Sequence, residues 1–258
     1  MARTRTRSEA RDARKKGTKV PEHPRDLGWH LSREERYALG KALRKTCPRE
    51  SHGAWKAPAG RADPLDMVIA AEKGRMPDLL PLRHGRMARS PFTFYRGSAL
   101  PMAADLATTP STGVRVQCCG DAHLSNFGGF ATPERRVIFS INDLDETLPA
   151  PWEWDVKRLA ASFVVACRDL DLKESVAKDV VRTCVRTYRE AMAGYTRLRT
   201  LELWYESIEP RDLLRGVKDP AVHRRVATRR DPMPPCTNST GSPSGEPKSA
   251  AAIWRLAR

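Results

Sequence analysis

A glycine–aspartate turn that follows a short apolar segment places the strongest constraint on what this chain can fold into. Val114 and Val116 begin the segment, Gly120-Asp121 makes the turn, and His123 and Asn126 follow at short spacing. Polar and acidic groups at the end of an apolar strand cost free energy there unless they are paired or used. The stretch therefore predicts a strand that ends in a catalytic type of loop.

A β-hairpin is predicted directly after this loop. Pro133-Glu134-Arg135 has the composition of a turn, and the segments 127–130 and 137–141 flank it. If the turn centres between its last two residues, Asn126 lies opposite Asp143, and cross-strand Cβ atoms are roughly 5 Å apart. The hairpin would then bring the end of the loop close to an acidic strand end.

This hairpin would place an amide oxygen and a carboxylate together. Asn126 and Asp143 supply the two groups, and Asp121 would lie one loop away. Oxygen ligands of this kind suit Mg²⁺, which is usually held by one or two carboxylates together with substrate phosphates. The sequence therefore predicts a magnesium site at the end of the hairpin. The alternative is that these acids pair with nearby arginines in a structural network.

The spacing Asp121-x-x-x-x-Asn126 resembles the catalytic loop of kinases, and the form Gly-Asp-x-His-x-x-Asn is similar to the aminoglycoside-phosphotransferase and choline-kinase branch. The resemblance implies ATP and Mg²⁺ as cofactors, and Asp121 as the residue that orients or deprotonates an acceptor hydroxyl. Asn126 and Asp143 would hold the metal. Asp145 is a second ligand or, because the interval after Asn126 is long, the principal acid. His123 belongs to the catalytic set but is expected to brace the loop rather than to transfer protons.

Four longer pieces, in order, resemble an uncharacterised bacterial family, domain of unknown function (DUF) 2252, over about residues 86–208. The pieces are Ser90–Gly97, Cys119–Gly128, Ile141–Thr147 and Pro151–Ala160. The resemblance implies an α+β, kinase-like fold similar to that of aminoglycoside phosphotransferases, with a small, partly β N-terminal part and a helical C-terminal part. Members of the family continue with further helical sequence, so the chain is expected to be truncated at its C-terminus. A shifted reading frame near Arg229 would explain the change in composition there.

Arginines before the loop are the predicted nucleotide-phosphate cations. The alternation of aromatic and polar residues over 90–97 predicts a strand with Arg96 near its end. A guanidinium group suits bidentate contact with phosphate, so Arg96 is the first candidate, with Arg86 and Arg89 as the next. The alternative is a structural salt bridge from Arg96 to one of the two acids at the end of the hairpin.

Helices are predicted on both sides of the β region, the first of them opening at a capping box that begins with Ser32. The predicted helices cover residues 32–45, 66–73, 100–106, 155–170 and 174–198. Asp155 suits the first turn of its helix, where the helix dipole stabilises an acid, and in the phosphotransferase branch a similar Asp anchors the catalytic loop. An apolar stripe from Val156 to Cys167 predicts the core-facing side of that helix. Pro149 and Pro151 are expected to end the strand before it.

The charge of the chain favours acidic partners. It has 258 residues and a formal net charge of +15, which suits nucleotides, nucleic acid or an anionic surface. Residues 1–28 are predicted to be a disordered basic arm, which is either a solvated tail or a weak contact with nucleic acid or an anionic surface. The kinase-like domain is expected over residues 29–228, and a disordered, frameshifted tail over residues 229–258. No apolar run approaches the roughly 20 residues of a membrane span.

Six cysteines without a C-x-x-C spacing indicate a reducing cytoplasm rather than a disulfide scaffold. Two further classes of function stay open. A metal-dependent phosphoesterase would fit the fragment Gly120–His123, but such sites need more His ligands than the 6 dispersed residues provide. A non-enzymatic protein that binds nucleic acid or another anionic ligand would fit the charge, without a helix-turn-helix, zinc-finger or stacked-aromatic motif to support it.

Overall fold

The computed structural model describes residues 31–209 together with residues 212, 213 and 220. The predicted basic arm and the predicted tail lie outside the described residues. Among the described residues, five α-helices come first, four strands follow, and three α-helices within residues 153–204 come after them. The architecture is therefore α+β, as the sequence predicts. No helix in the described part of the chain is long and apolar enough to span a bilayer.

The elements before the strands are all helices, and the four described strands lie between them and the long helices that follow. The first helix begins at the predicted capping box, in which Ser32 Oγ accepts from the Glu35 N–H and the Glu35 carboxylate accepts from the Ser32 N–H. The helices are α1 (Arg33–Thr46), α2 (Pro64–Ala70), α3 (Leu80–Met87), α4 (Pro91–Arg96) and α5 (Ala99–Ala107).

The strand predicted over residues 90–97 is wrong, because this segment forms α4. Ser90 Oγ accepts a hydrogen bond from the Thr93 N–H at 3.2 Å, and Thr93 Oγ1 accepts from the Ser90 N–H at 2.9 Å. Pro91 occupies the first helical position, where its missing N–H costs nothing. A reciprocal cap followed by proline therefore outweighs the alternation of aromatic residues.

Four strands form two separate antiparallel pairs in the described part of the chain. The pairs are β1 (Arg115–Cys118) with β4 (Leu148–Pro151), and β2 (Phe127–Ala131) with β3 (Val137–Ile141). The β2–β3 hairpin is thus inserted in the chain between the strands of the other pair. The prediction that Pro149 and Pro151 end a strand is wrong, since both lie within β4. They are tolerated because β4 has one partner strand among the described residues. The proline nitrogens, which have no hydrogen to donate, can therefore lie on the unpaired edge of the strand.

The register of the hairpin differs by one residue from the predicted register. Asn142, rather than Asp143, lies opposite Asn126 and donates its backbone N–H to the Asn126 carbonyl at 2.9 Å. The cause is the turn, in which Arg135 adopts a left-handed conformation with φ of 61°. This conformation makes a three-residue loop centred on Glu134. The prediction had centred the turn between Glu134 and Arg135, which shifts the cross-strand pairs by one residue.

Three helices follow the strands, and the first of them packs against the loop that follows β1. They are α6 (Glu153–Asp169), α7 (Glu174–Tyr195) and α8 (Thr200–Trp204). α6 packs on α4 and α7. Its most deeply buried side chains include Arg158 and Ser162, whereas much of the predicted apolar stripe before Cys167 is only partly buried. The inner side of α6 therefore meets a polar loop rather than a purely aliphatic core.

The cysteines of the described part of the chain are all free thiols. Cys118 and Cys119 are adjacent and buried, and burial, with Asp155 adding to it, raises the pKa of each thiol to about 11. Both thiols are therefore protonated at neutral pH and act as small apolar groups.

Candidate active site

The loop after β1 is anchored to α6. Gly120 makes the turn with a left-handed φ of +83°. The Asp155 carboxylate accepts hydrogen bonds from the backbone N–H groups of Cys119 and Gly120, at 2.7 and 3.1 Å. Further along the helix, Ser162 Oγ accepts from the Leu124 N–H at 3.0 Å. Asp155 therefore makes the anchoring contact that the resemblance implies, and α6 fixes the loop at two points.

Replacing Asp155 with asparagine is expected to destabilise the protein by roughly 2 kcal/mol. The amide keeps one acceptor oxygen, turns a donor toward the other backbone N–H and loses the charge that strengthens both bonds. The measurement is urea unfolding followed by circular dichroism. Asp179→Asn is the control, because Asp179 lies exposed on α7 in a solvent-screened pair with Arg182. Equal stabilities of the two variants would show that Asp155 does not anchor the loop.

Asp121 is held by an arginine that the sequence analysis did not single out. Its Oδ1 accepts from Arg158 Nε at 2.7 Å and also from Arg158 Nη2. The Asp121 side chain is 16% exposed and that of Arg158 only 2%. Burial raises the pKa of the Asp121 carboxyl, and the charge of Arg158 opposes this rise. The ion pair occupies Oδ1 of Asp121, the predicted base, and leaves its Oδ2 without a hydrogen bond from Arg158.

Arg158 also ties the loop to α4. Its Nη2 donates to the Tyr95 carbonyl at 3.0 Å, and its guanidinium carbon lies 4.5 Å from the centre of the Tyr95 ring. Tyr95 Oη in turn donates to the Arg158 carbonyl at 2.8 Å. No local signal in the sequence marks this arginine, because Lys157 precedes it and its partners Asp121 and Tyr95 lie far from it in the chain.

His123 lies beside Asp121 in an uncharged form. Its Nε2 is 3.5 Å from Asp121 Oδ2, and it is 5% exposed. Burial, followed by the positive charges of Arg158 and Arg96, lowers the pKa of His123 to about 4. Its Nδ1 is buried and has no hydrogen-bond partner among the described residues. The loop is braced here by backbone bonds, in which the His123 N–H donates to the Asp121 carbonyl at 2.8 Å.

Protonation of His123 is expected to make the protein less stable as the pH falls. The unfolded histidine titrates near 6.5 and the folded one near 4, so the unfolded state binds the extra proton between these values. Stability is therefore full above the unfolded pKa and declines toward the folded one, with a slope from this residue of at most about 1.4 kcal/mol per pH unit. Unfolding of wild type and His123→Gln across this range measures the difference in slope. Identical slopes would contradict a neutral, buried His123.

Asn126 connects the loop to the end of the hairpin. Its Nδ2 donates to the Asp121 carbonyl at 2.9 Å and to the Asp143 carbonyl at 3.5 Å. Two carbonyl acceptors require the NH₂ side of the amide, so this orientation follows from the hydrogen-bond network. Oδ1 of Asn126 accepts no hydrogen bond from the described residues and is the atom left to meet a ligand.

The two predicted metal acids are exposed at the hairpin end. Asp143 Oδ1 accepts from the Asp145 N–H at 3.2 Å, which shapes a local turn. The charge of Asp143 raises the pKa values of Asp121 and His123, so its carboxylate acts on the same site. Within the described residues, no three His, Cys, Asp or Glu side chains converge as a metal cluster. The Asp143 carbonyl therefore contacts Asn126, and the Asp143 charge acts on Asp121 and His123, while the residue itself is exposed to solvent.

Of the three arginines predicted to meet phosphate, Arg96 lies near the loop. It ends α4 with an exposed side chain, and its charge lowers the pKa values of Asp121 and His123. It forms no ion pair with the hairpin acids in the described structure, so the alternative of a structural salt bridge is not supported. Arg86 lies exposed on α3, and Arg89 lies in the wall of a separate cavity.

The fold and the site define an α+β protein with a polar loop held between a β-hairpin and α6. The chain belongs to the DUF2252 family, because the model of that family, described as an uncharacterized protein conserved in bacteria, matches residues 75–231. The family resemblance seen in the four motifs is thereby confirmed, and the match reaches beyond them at both ends. No curated protein and no solved structure has a significant match to the chain.

Proposed function

We propose that the protein is a phosphotransferase that uses ATP and Mg²⁺ and has a kinase-like fold and site. The observation that carries the proposal is the Asn126 amide, which joins the Asp121 loop to the acidic end of the hairpin. Asp121 and Asn126 keep the spacing of a kinase catalytic loop, and Asp155 anchors that loop. A loop of fixed shape suits phosphoryl transfer, whose catalysis rests mostly on positioning and electrostatics.

The oxygen donors around Asn126 fit Mg²⁺. Its Oδ1 and the exposed Asp143 carboxylate are hard donors, and Asp145 offers a second carboxylate. Mg²⁺ is usually held by one or two carboxylates plus substrate phosphates, so a cage of three protein acids is not required. Asp121 is a poorer ligand because Arg158 already holds its Oδ1. Asn126 and Asp143 would therefore hold the ion, with Asp145 as the second carboxylate.

Asp121 is the proposed base toward an acceptor hydroxyl. Because Arg158 holds Oδ1, Oδ2 is the oxygen that can accept the hydroxyl proton. Burial raises the pKa of Asp121, which strengthens it as a base, while Arg158 favours the ionised form. His123 lies beside this oxygen, with its Nε2 at 3.5 Å from Oδ2. Bound Mg²⁺ would neutralise charge on the transferred phosphoryl group.

Arg96 is the proposed cation for the nucleotide phosphates. Its exposed guanidinium already acts on the electrostatics of Asp121 and His123, and no hairpin acid pairs with it in the described structure. A guanidinium in this state can form bidentate contacts with phosphate oxygens. Arg86 and Arg89 stay secondary candidates, because the charges that act on Asp121 and His123 include that of Arg96.

Mg²⁺-ATP is expected to stabilise the wild-type protein, by roughly 3 kcal/mol at about a hundred times the dissociation constant. Asp143→Ala should lose this stabilisation, because the variant removes the proposed metal carboxylate. The measurement is a thermal shift with Mg²⁺-ATP and with ATP plus a chelator. Asp179→Ala is the matched control, an exposed acid on α7 whose removal should leave the shift intact.

Two other outcomes would replace the proposal. DNA binding that weakens steeply with salt, in a protein that gives no ATP response, would indicate a non-enzymatic nucleic-acid-binding protein. Metal-dependent hydrolysis of a phosphoester without any need for ATP would indicate a phosphoesterase. A Mg²⁺-ATP shift that survives in Asp143→Ala would contradict the metal site as assigned.

A further inference from the structure

A cavity of about 900 Å³ lies between α4, α5, α6 and the loop before α2. This volume is within the range of roughly 300–1,000 Å³ that is typical of small-molecule sites. Its wall includes Phe94, Met102 and Ala161, and neither the Asp121 loop nor the hairpin acids line it. The cavity is therefore a separate feature that the proposed phosphotransfer does not use.

The loop before α2 closes one side of the cavity through two specific contacts. Trp55 Nε1 donates to Thr108 Oγ1 at 2.9 Å. The Arg61 guanidinium pairs with both oxygens of Asp105, at 2.7 and 2.8 Å. Asp105 is the one acid among the described residues of the wall, and this bidentate pair neutralises it. The wall that remains is apolar and aromatic, with a surplus of positive charge.

Lys157 supplies that charge within the cavity. Its half-buried ammonium donates to Thr109 Oγ1 at 2.8 Å, and no carboxylate lies within ion-pair distance of it among the described residues. Burial lowers the pKa of Lys157, while Glu153 opposes the shift from farther away. A half-buried cation whose hydrogen bond goes to a neutral hydroxyl gains from a direct contact with an anionic ligand.

We propose that this cavity binds a small aromatic carboxylate, whose acid group pairs with Lys157 and whose ring packs against Phe94 and Met102. The apolar and aromatic wall gives the ring its contact area, and the surplus positive charge selects the anion. The site is independent of nucleotide and Mg²⁺.

Calorimetric titration with 2-naphthoate and with 2-naphthalenemethanol, in buffer without Mg²⁺ or nucleotide, tests the proposal. Wild-type protein should bind the carboxylate about tenfold or more tightly than the alcohol of the same shape. Lys157→Met should lower the affinity for the carboxylate to that for the alcohol. Lys173→Met, at an exposed position before α7, should change neither affinity. Ala161→Phe, which fills the cavity, should weaken both probes.

Equal binding of the two probes by wild-type protein, or no binding of either, would overturn the proposal. Unchanged carboxylate binding in folded Lys157→Met would overturn it as well. The comparison of the two probes on wild-type protein needs no variant, so the preference for an anion stays testable if a substitution prevents folding. Since ATP and metal are absent, failure here is distinct from failure of the proposed phosphotransfer.

Discussion

Replacing Arg158 with methionine is expected to lower the free energy of unfolding by roughly 3–5 kcal/mol. Arg158 is almost fully buried, and its guanidinium contacts the Asp121 carboxylate and both the carbonyl and the ring of Tyr95. Methionine fills a similar space but leaves the Asp121 charge buried without its partner and removes one of the hydrogen bonds to the Tyr95 carbonyl. Urea unfolding at neutral pH measures the loss.

The control for this experiment lies on the same helix. Arg168→Met removes an exposed arginine whose partner, Glu174, is also exposed, and the expected change is below about 0.5 kcal/mol. Adding Asp121→Asn to Arg158→Met should recover part of the loss, because it removes the orphaned charge. If Arg158→Met is as stable as Arg168→Met, the buried ion pair does not hold the loop.

Gly120→Ala is expected to destabilise the fold by roughly 3 kcal/mol or more. Gly120 has a φ of +83°, and an added Cβ would lie 1.9 Å from the backbone oxygen of Glu146. Backbone strain and a steric clash therefore act together, and the backbone oxygen cannot turn away as a flexible side chain could. Because Asp155 binds the Gly120 N–H, the displaced loop should also lose this anchor. Urea unfolding followed by circular dichroism measures the loss.

Gly40→Ala provides the comparison for the same chemical change. Gly40 lies inside α1, and a Cβ there would meet no atom within 4 Å. Alanine is the better helix former by up to about 1 kcal/mol, so this variant should be as stable as wild type or more so. Similar stabilities for the Gly120 and Gly40 variants would contradict the close approach of the loop to Glu146.

Local signals predicted the parts of the fold that depend on neighbouring residues. The capping box at Ser32 correctly placed the start of α1, and the turn composition at residues 133–135 correctly predicted the hairpin. Asp155 was assigned to the first turn of its helix, where it lies, and the family resemblance implied its anchoring of the loop, where it accepts from two backbone N–H groups. In each case the interacting groups lie within one element or follow a recognised motif.

The features that the sequence did not predict depend on contacts between distant residues or on competing local signals. Arg158 gains its role from Asp121 and Tyr95, which are far from it in the chain, so its own neighbours could not reveal the pair. The one-residue shift of the hairpin depends on the left-handed Arg135, a conformation that its residue type does not require. At α4 two local signals competed, and the cap at Ser90 outweighed the alternating pattern.

The position of the divalent ion that binds with nucleotide tests the central claim most directly. Mn²⁺ accepts the same oxygen ligands as Mg²⁺, and its unpaired electrons broaden the NMR signals of nearby amides. When Mn²⁺ and ATP are added to isotope-labelled protein, we expect the strongest broadening at the backbone amides of residues 121–126 and 142–145. Strongest broadening elsewhere in the chain, or a spectrum that Mn²⁺ and ATP leave unchanged, would contradict a metal site shared by Asn126 and Asp143.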